Sequence, residues 1–362
     1  MKRHGIISAA VIAFCLCAVA AEAAEYPYLL DPDTDSVILR WFSEALLPSE
    51  AICGDGRDTR TFNSDTAAAE RRITIDGLTP GKQYYYRVKN IGGWSALYSF
   101  KTIPERSKGL RFVIYGDSRD NPEIVKKISS MIKKEKPGFI VHNGDIAEKG
   151  KYSEFLDNFI NPSGDLFSGI PLCLCPGNHD YSGWGANKSG RDYNRLFSGG
   201  TDFAYRYFEA SGVLFVFLDT NSDLFQASSQ YKWLEKVLAG SAARYKLVFT
   251  HHDPYTSGSH AGDAYILKLR RELCPLLEKY KVNAVFSGHD HNYERAGPVN
   301  GVLYIVTGGA GAPLRGKKSE NSWSRTFFSA YHYIVADYDR KSGFKIQAKD
   351  LSGAVIDSFS LE

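Results

Sequence analysis

The sequence shows no excess of either charge and contains few cysteines. Its 44 Lys and Arg residues nearly balance 41 Asp and Glu residues, which leaves a formal net charge of +3. Because a nucleic-acid partner usually requires a clear basic excess, we expect no nucleic-acid partner. Only six cysteines occur in 362 residues, and so few in so long a chain exclude a fold that is built on a disulfide framework.

No long apolar run occurs after the N-terminus, so we expect no stable membrane insertion. The N-terminus itself begins with the basic stretch Lys2-Arg3-His4, continues with an apolar run over residues 6–20 and ends in Ala21-Glu22-Ala23-Ala24. This order is typical of a secretory signal peptide, and the run is shorter than the roughly 18 to 20 residues of a spanning helix. We predict a signal peptide at residues 1–23 and a secreted or periplasmic protein; a retained membrane anchor is the alternative.

The next segment, residues 24–103, has the composition of short β-strands. Three runs rich in β-branched and aromatic residues stand out, namely Ser36–Trp41, Arg72–Ile75 and Tyr84–Val88. Turn residues such as Asp76-Gly77 separate them. Short strands at regular spacing with such turns predict an N-terminal all-β sandwich.

Beyond a polar linker, residues 104–362 alternate strands with helices. The strand Leu110–Tyr115 precedes a helix that Asn121 caps and Pro122 begins. Further apolar strands follow, and we also predict one helix around 231–238 and another around 266–280. This alternation indicates an α/β domain with buried strands.

Cys173 and Cys175 lie two apart on one strand and therefore share a face, which favours their being small buried hydrophobic side chains. The sequence leaves their disulfide state open.

Polar residues follow five of the predicted strands at the point where each strand ends. Because ligands bind at the carboxyl ends of strands in open α/β sheets, we expect these residues to share one rim. Carboxylates, an amide and imidazoles without thiolates suit manganese, iron or zinc. The five strand ends are Gly116-Asp117, Gly144-Asp145, Gly177-Asn178-His179-Asp180, His251-His252-Asp253-Pro254 and Gly288-His289-Asp290-His291.

This ordered set, over about residues 110–296, resembles the calcineurin-like metallophosphoesterase superfamily and, within it, the purple acid phosphatase branch. The ending Gly288–Arg295 is close to that branch's phrase at the same place. Gly77–Val88 resembles a fibronectin type III module, the kind that precedes the catalytic domain in plant-type purple acid phosphatases. The resemblance implies two packed mixed β-sheets flanked by helices and an acid phosphatase-like hydrolase with two metal ions, either Fe, Mn or Zn.

By the same resemblance, six residues would hold the two metals. The first metal would be held by Asp117 and His291 and the second by Asn178, His251 and His289, with Asp145 as the bridge between them.

Four neighbours of these residues have expected roles beside them. His179 and His260 match histidines that contact the phosphate or the leaving group, so either would protonate the leaving alkoxide. Asp180 is well placed in the sequence to orient an imidazole. His252 should point away from the metals if strand alternation extends to it.

Two positions depart from the family pattern around the first metal. The purple enzymes carry a tyrosine where this sequence has Glu148, and many other members carry a histidine where it has Arg119. The first metal is therefore expected to bind weakly, to recruit water or to use Glu148 after a local rearrangement; Tyr152 is a less favoured replacement. Arg119 would either clamp a substrate phosphate with its planar fork or form a structural salt bridge, and the sequence leaves both open.

The sequence thus predicts an exported metal-dependent phosphoesterase that hydrolyses small phosphomonoesters by in-line attack of a metal-activated hydroxide. Two alternatives stay open: a phosphodiesterase that uses the same site, and a non-catalytic surface-binding protein with a degenerate metal site. The Gly- and Lys-rich loops Trp184–Arg191 and Arg315–Arg325 are candidates for the substrate rim. Nothing in the sequence specifies an oligomeric state.

Overall fold

A computed structural model of the chain describes residues 26–106, 109–182, 189–198 and 205–361. The predicted signal peptide lies outside these ranges. Among the helices that they contain, none combines the length and the apolar character that crossing a membrane requires. Within the same ranges the four cysteines are buried free thiols, which confirms the expectation for Cys173 and Cys175.

The first strands form the predicted N-terminal β-sandwich. Its core consists of side chains that alternate along the strands, as in β4, where Tyr84, Tyr86 and Val88 are buried and Tyr85 is exposed. Trp41 is also buried in this core. The strands are β1 Tyr28–Leu30, β2 Val37–Gly54, β3 Thr59–Ile75, β4 Gln83–Asn90, β5 Gly93–Trp94 and β6 Tyr98–Lys101.

The rest of the chain is the predicted α/β domain. In chain order its elements are β7 Gly109–Tyr115, α1 Pro122–Glu135, β8 Phe139–His142, α2 Tyr152–Phe155, a π-helical turn Leu156–Ile160, α3 Leu166–Gly169, β9 Leu172–Leu174, α4 Arg191–Phe197, β10 Arg206–Ala210, β11 Val213–Phe217, α5 Ser229–Gly240, β12 Tyr245–Phe249, α6 Ala264–Glu272, α7 Cys274–Lys279, β13 Ala284–Ser287, β14 Tyr293–Val299, β15 Val302–Thr307, β16 Ser324–Phe328, β17 His332–Asp339, β18 Gly343–Asp350 and β19 Val355–Leu361.

These strands belong to two mixed sheets. The first has the order β19-β18-β17-β7-β8-β9-β1-β2-β4-β5, with β3 beside β2 and β6 beside β4. The second has the order β10-β11-β12-β13-β15-β14-β16. The strands β7, β8 and β9 are parallel in the first sheet, and β11, β12, β13 and β15 are parallel in the second. The predicted fold class is therefore confirmed.

The two sheets pack face to face through a layer rich in phenylalanine. Phe112 stacks on Phe139 of its own sheet at 4.9 Å between ring centroids and meets Phe215 of the other sheet edge-on at 5.4 Å. Phe249 stacks on Phe217 at 5.0 Å. Because helices cover the outer faces, the central strands are buried on both sides, which explains why they are continuous apolar runs.

Of the three predicted helices, α1 and α5 are confirmed, whereas the short helices α2, α3 and α4 were not predicted. The Asn121 side chain accepts a hydrogen bond from the Ile124 N–H, and α1 ends where Lys136 takes a left-handed conformation ahead of Pro137. The single helix predicted around 266–280 is wrong, because α6 and α7 are separate. Pro275 has no N–H to continue the ladder of α6, and it instead occupies the first turn of α7.

The N-terminal sandwich shares a sheet with the α/β domain. Strand β1 pairs antiparallel with β2 and, through Leu30 opposite Leu172, parallel with β9. The Tyr86 hydroxyl also donates to the Ser168 carbonyl oxygen at 2.9 Å. The two parts of the chain are therefore joined by main-chain pairing as well as by the linker.

The layer between the sheets generates a stability prediction. Phe249→Ala should lower the free energy of unfolding by about 3–5 kcal/mol, because the buried ring lies between close-packed neighbours that cannot fill the cavity. Phe328→Ala, on an exposed part of β16, should cost about 1 kcal/mol or less, since that ring buries less area. Urea unfolding followed by circular dichroism measures both, and equal losses would contradict this account of the core.

Candidate metal centre

The carboxyl ends of parallel strands from both sheets meet at one edge of the molecule. Asp117, Asp145 and Asn178 follow β7, β8 and β9 of the first sheet. His251 and His289 follow β12 and β13 of the second. The β7–β8 and β12–β13 pairs are in parallel register, so their ends arrive at the same level.

Two carboxylates and an imidazole form the centre of this cluster. One oxygen each of Asp117 and Asp145 and one ring nitrogen of His251 all lie within 4.8 Å of one another, and all three side chains are buried. Burial, followed by the charge of Asp145, raises the pKa of Asp117 well above its usual range. Two buried carboxylates this close repel each other, and a cation between them would remove that cost.

The other three predicted ligands border this centre. His291 Nε2 is 3.6 Å from Asp117 Oδ1, and Asn178 Oδ1 is 2.9 Å from His251 Nε2. The His289 backbone N–H donates to the Asp117 carboxylate, and its ring centroid is 5.1 Å from that of His251. The structure therefore brings all six side chains together.

Hydrogen bonds fix which ring nitrogen of two histidines carries the proton. His251 Nδ1 is 2.8 Å from the Asn143 carbonyl oxygen, and His291 Nδ1 is 2.8 Å from that of Pro313. A carbonyl oxygen only accepts, so each Nδ1 carries the hydrogen and each Nε2 presents a lone pair. Burial lowers the pKa of both rings, for His291 to about 3, which keeps them neutral.

The lone pair of His251 faces other lone pairs. Its Nε2 lies 2.9 Å from Asn178 Oδ1 and 3.4 Å from Asp145 Oδ1. Three acceptor atoms that converge without a proton between them fit a bound cation. Carboxylate, amide and imidazole groups are ligands that suit Fe, Mn or Zn.

The backbone is strained where it presents these side chains. Asp117, Asp145 and His289 have φ values of 58°, 57° and 67°, in the left-handed region that non-glycine residues rarely adopt. Each such residue costs about 1–3 kcal/mol and persists only where its surroundings enforce it. Strain at three candidate ligands supports a functional reason for their placement.

Glycine is required where the loops touch. A Cβ on Gly177 would lie 2.1 Å from Asp145 Oδ1 and 2.2 Å from the Asp145 backbone nitrogen. A Cβ on Gly288 would lie 2.3 Å from Asp117 Oδ2. The glycines that precede the polar residues therefore allow the loops of neighbouring strands to pack directly on the carboxylates.

Asp180 holds the loops rather than an imidazole. Its buried carboxylate accepts hydrogen bonds from the backbone N–H groups of Asp145, Ile146, Ala147 and Gly177, at 2.7 to 3.0 Å. The predicted role of orienting a histidine is therefore wrong. The carboxylate turns inward because four main-chain donors at the ends of β8 and β9 need an acceptor.

Arg119 lies at the centre but is already paired. Its guanidinium contacts Glu148 and Asp120, and its Nε is 3.4 Å from Asp145 Oδ2; only 7% of the side chain is exposed. Of the two roles left open by the sequence, this arrangement favours the salt bridge. Tyr152 lies elsewhere, with its ring under the Arg195 guanidinium and next to Phe42 of the sandwich.

Three histidines surround the six candidate ligands. The His179 N–H donates to Asp145 Oδ1 at 2.9 Å, its Nδ1 pairs with the Glu148 carbonyl oxygen, and 31% of its side chain is exposed. The ring centroid of His260 is 4.0 Å from that of His289.

The third histidine, His252, does not point away from the cluster. Its ring centroid lies 4.6 Å from that of His289, while its Nδ1 pairs with the Thr220 hydroxyl at 2.7 Å. Strand alternation failed here because β12 ends at Phe249, before this residue.

Three further residues, which the sequence did not identify as part of the site, hold or contact its loops and histidines. Asp290 accepts hydrogen bonds from Thr256 Oγ1 and the Ser259 N–H and so holds the loop before His260. Asp263 pairs with His260 Nδ1 at 2.7 Å. Arg315, named only as the start of a rim loop, contacts His260. Asp290, between two candidate ligands, was the only one with a local signal. Of the other rim loop, residues 183–188 lie outside the described residues.

Comparison with known proteins places this site in a family. A family model described as calcineurin-like phosphoesterase matches residues 110–293. The chain belongs to this family. The calcineurin-like phosphoesterases are hydrolases of phosphoric esters that use a dinuclear metal centre, which the cluster of acidic and histidine side chains fits. Residues 30–102 match a second model, the purple acid phosphatase N-terminal domain.

Individual relatives agree with this assignment. Purple acid phosphatase 21 of Arabidopsis thaliana is 28% identical over 317 residues, which cover 80% of this chain and 71% of that protein. Probable inactive purple acid phosphatase 27 of the same plant is 28% identical, over 84% of this chain and 60% of that protein. A purple acid phosphatase from yellow lupin (Lupinus luteus) seeds shares the fold, with a TM-score of 0.82 at 20% identity, over 92% of this chain and 73% of that one.

The close packing of Gly177 against Asp145 in this phosphoesterase predicts that a larger residue at position 177 weakens metal binding. Gly177→Ala should reduce metal affinity at least roughly tenfold, because the added methyl group displaces the Asp145 carboxylate. Gly240→Ala, at a helix end where a Cβ meets open space, is the matched control and should bind metal like the wild type. Elemental analysis after dialysis against graded chelator concentrations measures both. Equal metal retention in the two variants would contradict the proposed crowding.

Proposed function

We propose that this chain is an exported, metal-dependent phosphomonoesterase that acts on small phosphate esters. The observation that carries the proposal is that atoms with free lone pairs, which could bind a metal, converge from both sheets. The main ones are His251 Nε2, Asn178 Oδ1 and Asp145 Oδ1. Phosphomonoesters are the favoured substrates because relatives are named acid phosphatases, including acid phosphatase type 7 of Homo sapiens.

We assign the ligand roles by position in the cluster. Asp117 and His291 would hold one metal, Asn178, His251 and His289 would hold the second, and Asp145 would bridge the two. Bound metals of this kind lower the pKa of water and supply a hydroxide nucleophile at neutral pH. His179, with its Nδ1 bound to a carbonyl and its ring partly exposed, and His260 are proposed to contact the phosphate or the leaving group.

We propose that Arg119 serves as a structural counter-ion rather than a phosphate clamp. Its Nη1 contacts both Asp120 and Glu148, and its low exposure keeps the guanidinium from the mouth of the site. The first metal would then have three protein ligands and be the weaker of the two. The proposed chain organisation is a signal peptide at residues 1–23, a sandwich at 24–103 and a catalytic domain at 104–362. Family matches at 30–102 and 110–293 support the last two parts.

A second candidate function is a non-catalytic, surface-binding protein. Two observations favour it: the Arg119 guanidinium lies where a further ligand for the first metal would be expected, and some relatives are named probable inactive purple acid phosphatases. Metal content and hydrolysis distinguish the two candidates, because a binding protein with a degenerate site would retain neither a pair of metals nor turnover.

The proposed function is tested by replacing Asp145, the residue proposed to bridge the two metals. Asp145→Ala should lose metal and reduce phosphomonoester hydrolysis below detection, because both metals would lose their shared carboxylate. Asp165→Ala, a surface carboxylate paired with Lys133, is the control and should behave as the wild type. Elemental analysis and p-nitrophenyl phosphate hydrolysis are the measurements. A wild-type protein without bound transition metal or turnover would refute the proposal.

The weaker first metal generates a separate prediction. Arg119→His should raise the affinity for the second equivalent of metal roughly tenfold or more, since it replaces a cation with a neutral ligand and frees Glu148. Arg111→His, at a surface ion pair with Asp337, should leave metal binding unchanged. Isothermal titration calorimetry with Mn²⁺ or Zn²⁺ on the metal-free proteins measures this. An unchanged or weaker second binding step in Arg119→His would contradict the assigned role of Arg119.

A further inference from the structure

Arg315 is a charged side chain at the metal centre that the proposed reaction leaves without a role. Its backbone N–H donates to the His291 carbonyl oxygen at 2.9 Å, and the nearby Pro313 carbonyl accepts from His291 Nδ1. One short segment therefore holds both the main chain and the side chain of a proposed ligand, which places Arg315 directly beside it.

The rest of the loop is also held by its backbone. The N–H groups of Lys318 and Ser319 both donate to the Ser257 carbonyl oxygen, at 2.8 and 3.1 Å. Asn321 Nδ2 donates to Ser257 Oγ at 3.0 Å. Because none of these contacts uses the Arg315 side chain, we expect the loop to keep its position when that side chain is changed.

The Arg315 guanidinium is incompletely neutralised. Its Nη1 contacts His260 Nε2 and is 4.0 Å from Asp290 Oδ1, whose carboxylate already accepts hydrogen bonds from Thr256 and Ser259. The side chain is 31% exposed, compared with 7% for Arg119, which contacts carboxylates of three residues. Arg315 is therefore the arginine at this centre that an incoming anion can reach.

We propose that Arg315 is a substrate-binding residue that recognises the dianionic phosphate of a monoester and thereby favours monoesters over diesters. The proposal rests on the proposed function, since it assigns a substrate preference to the same site. A monoester presents three non-bridging oxygens and up to two negative charges, whereas a diester presents two such oxygens and one charge. A fixed guanidinium makes paired, charge-assisted hydrogen bonds that the additional free oxygen and charge strengthen.

The test compares Arg315→Gln and Arg315→Lys with the control Arg111→Gln. Arg111 is a partly exposed arginine that pairs with Asp337, outside both rim loops, so its loss should have no effect. The substrates are p-nitrophenyl phosphate and bis-p-nitrophenyl phosphate, and the inhibition constant of inorganic phosphate is measured alongside. Metal content and circular dichroism establish that each variant is loaded and folded.

Arg315→Gln should raise the KM for the monoester and the inhibition constant of phosphate by roughly 10- to 100-fold, the usual effect of losing a charged hydrogen bond. The kcat/KM for the diester should change by less than about threefold. Arg315→Lys should restore part of the loss, because an ammonium group supplies the charge without the planar fork. Equal losses for monoester and diester, or no change in phosphate inhibition, would overturn the assignment.

The two proposals fail in different ways. If the wild type hydrolyses no phosphoester, the proposed function is wrong, and calorimetric binding of inorganic phosphate to the metal-loaded protein then tests Arg315 alone. Weaker phosphate binding by Arg315→Gln than by the wild type would still support its role in anion recognition. Equal binding by the two proteins would refute it.

Discussion

Asp117 and Asp145 are carboxylates that the fold holds close together in a buried position, where two negative charges repel each other. The carboxyl ends of β7 and β8 deliver them, and the lone pairs of His251 and Asn178 face the same space. The backbone N–H groups of His179 and His289 and the Arg119 guanidinium offset only part of this excess of acceptor atoms, which is therefore unfavourable by itself. A metal pair of the kind that the family uses would supply the opposing charge.

The protein holds this arrangement through main-chain contacts. Asp180 accepts hydrogen bonds from four backbone N–H groups of the loops after β8 and β9. Asp290 likewise accepts hydrogen bonds from backbone N–H groups at and just before His260. Left-handed backbone at Asp117, Asp145 and His289 is tolerated because these contacts determine the loop paths. Asp180 and Asp290 therefore hold the loops in place rather than orienting an imidazole ring.

Much of the fold and the membership of the site could be read from the sequence, because both depend on local patterns. Strands buried on both faces are continuous apolar runs, and glycine precedes the polar residue at four of the five strand ends, His251 being the exception. The break between α6 and α7 was missed although Pro275 signals it. The positions of His252 and Arg315 depend on loop paths after the strands end, and side-chain periodicity carries no information there. The inward turn of Asp180 follows from the needs of main-chain donors on another loop, which residue types alone do not reveal.

The pairing of β1 with β9 has a consequence for how the chain can be divided. Strand β9 leads directly to Asn178, so the N-terminal sandwich supplies the hydrogen-bonding neighbour of a strand that carries a candidate ligand. Excising the sandwich would leave the outer side of β9 with unpaired main-chain groups, the kind of open edge that promotes aggregation. The sandwich therefore cannot be exchanged as an independent module. A recombination event that separates it from the α/β domain would have to supply another strand to pair with β9.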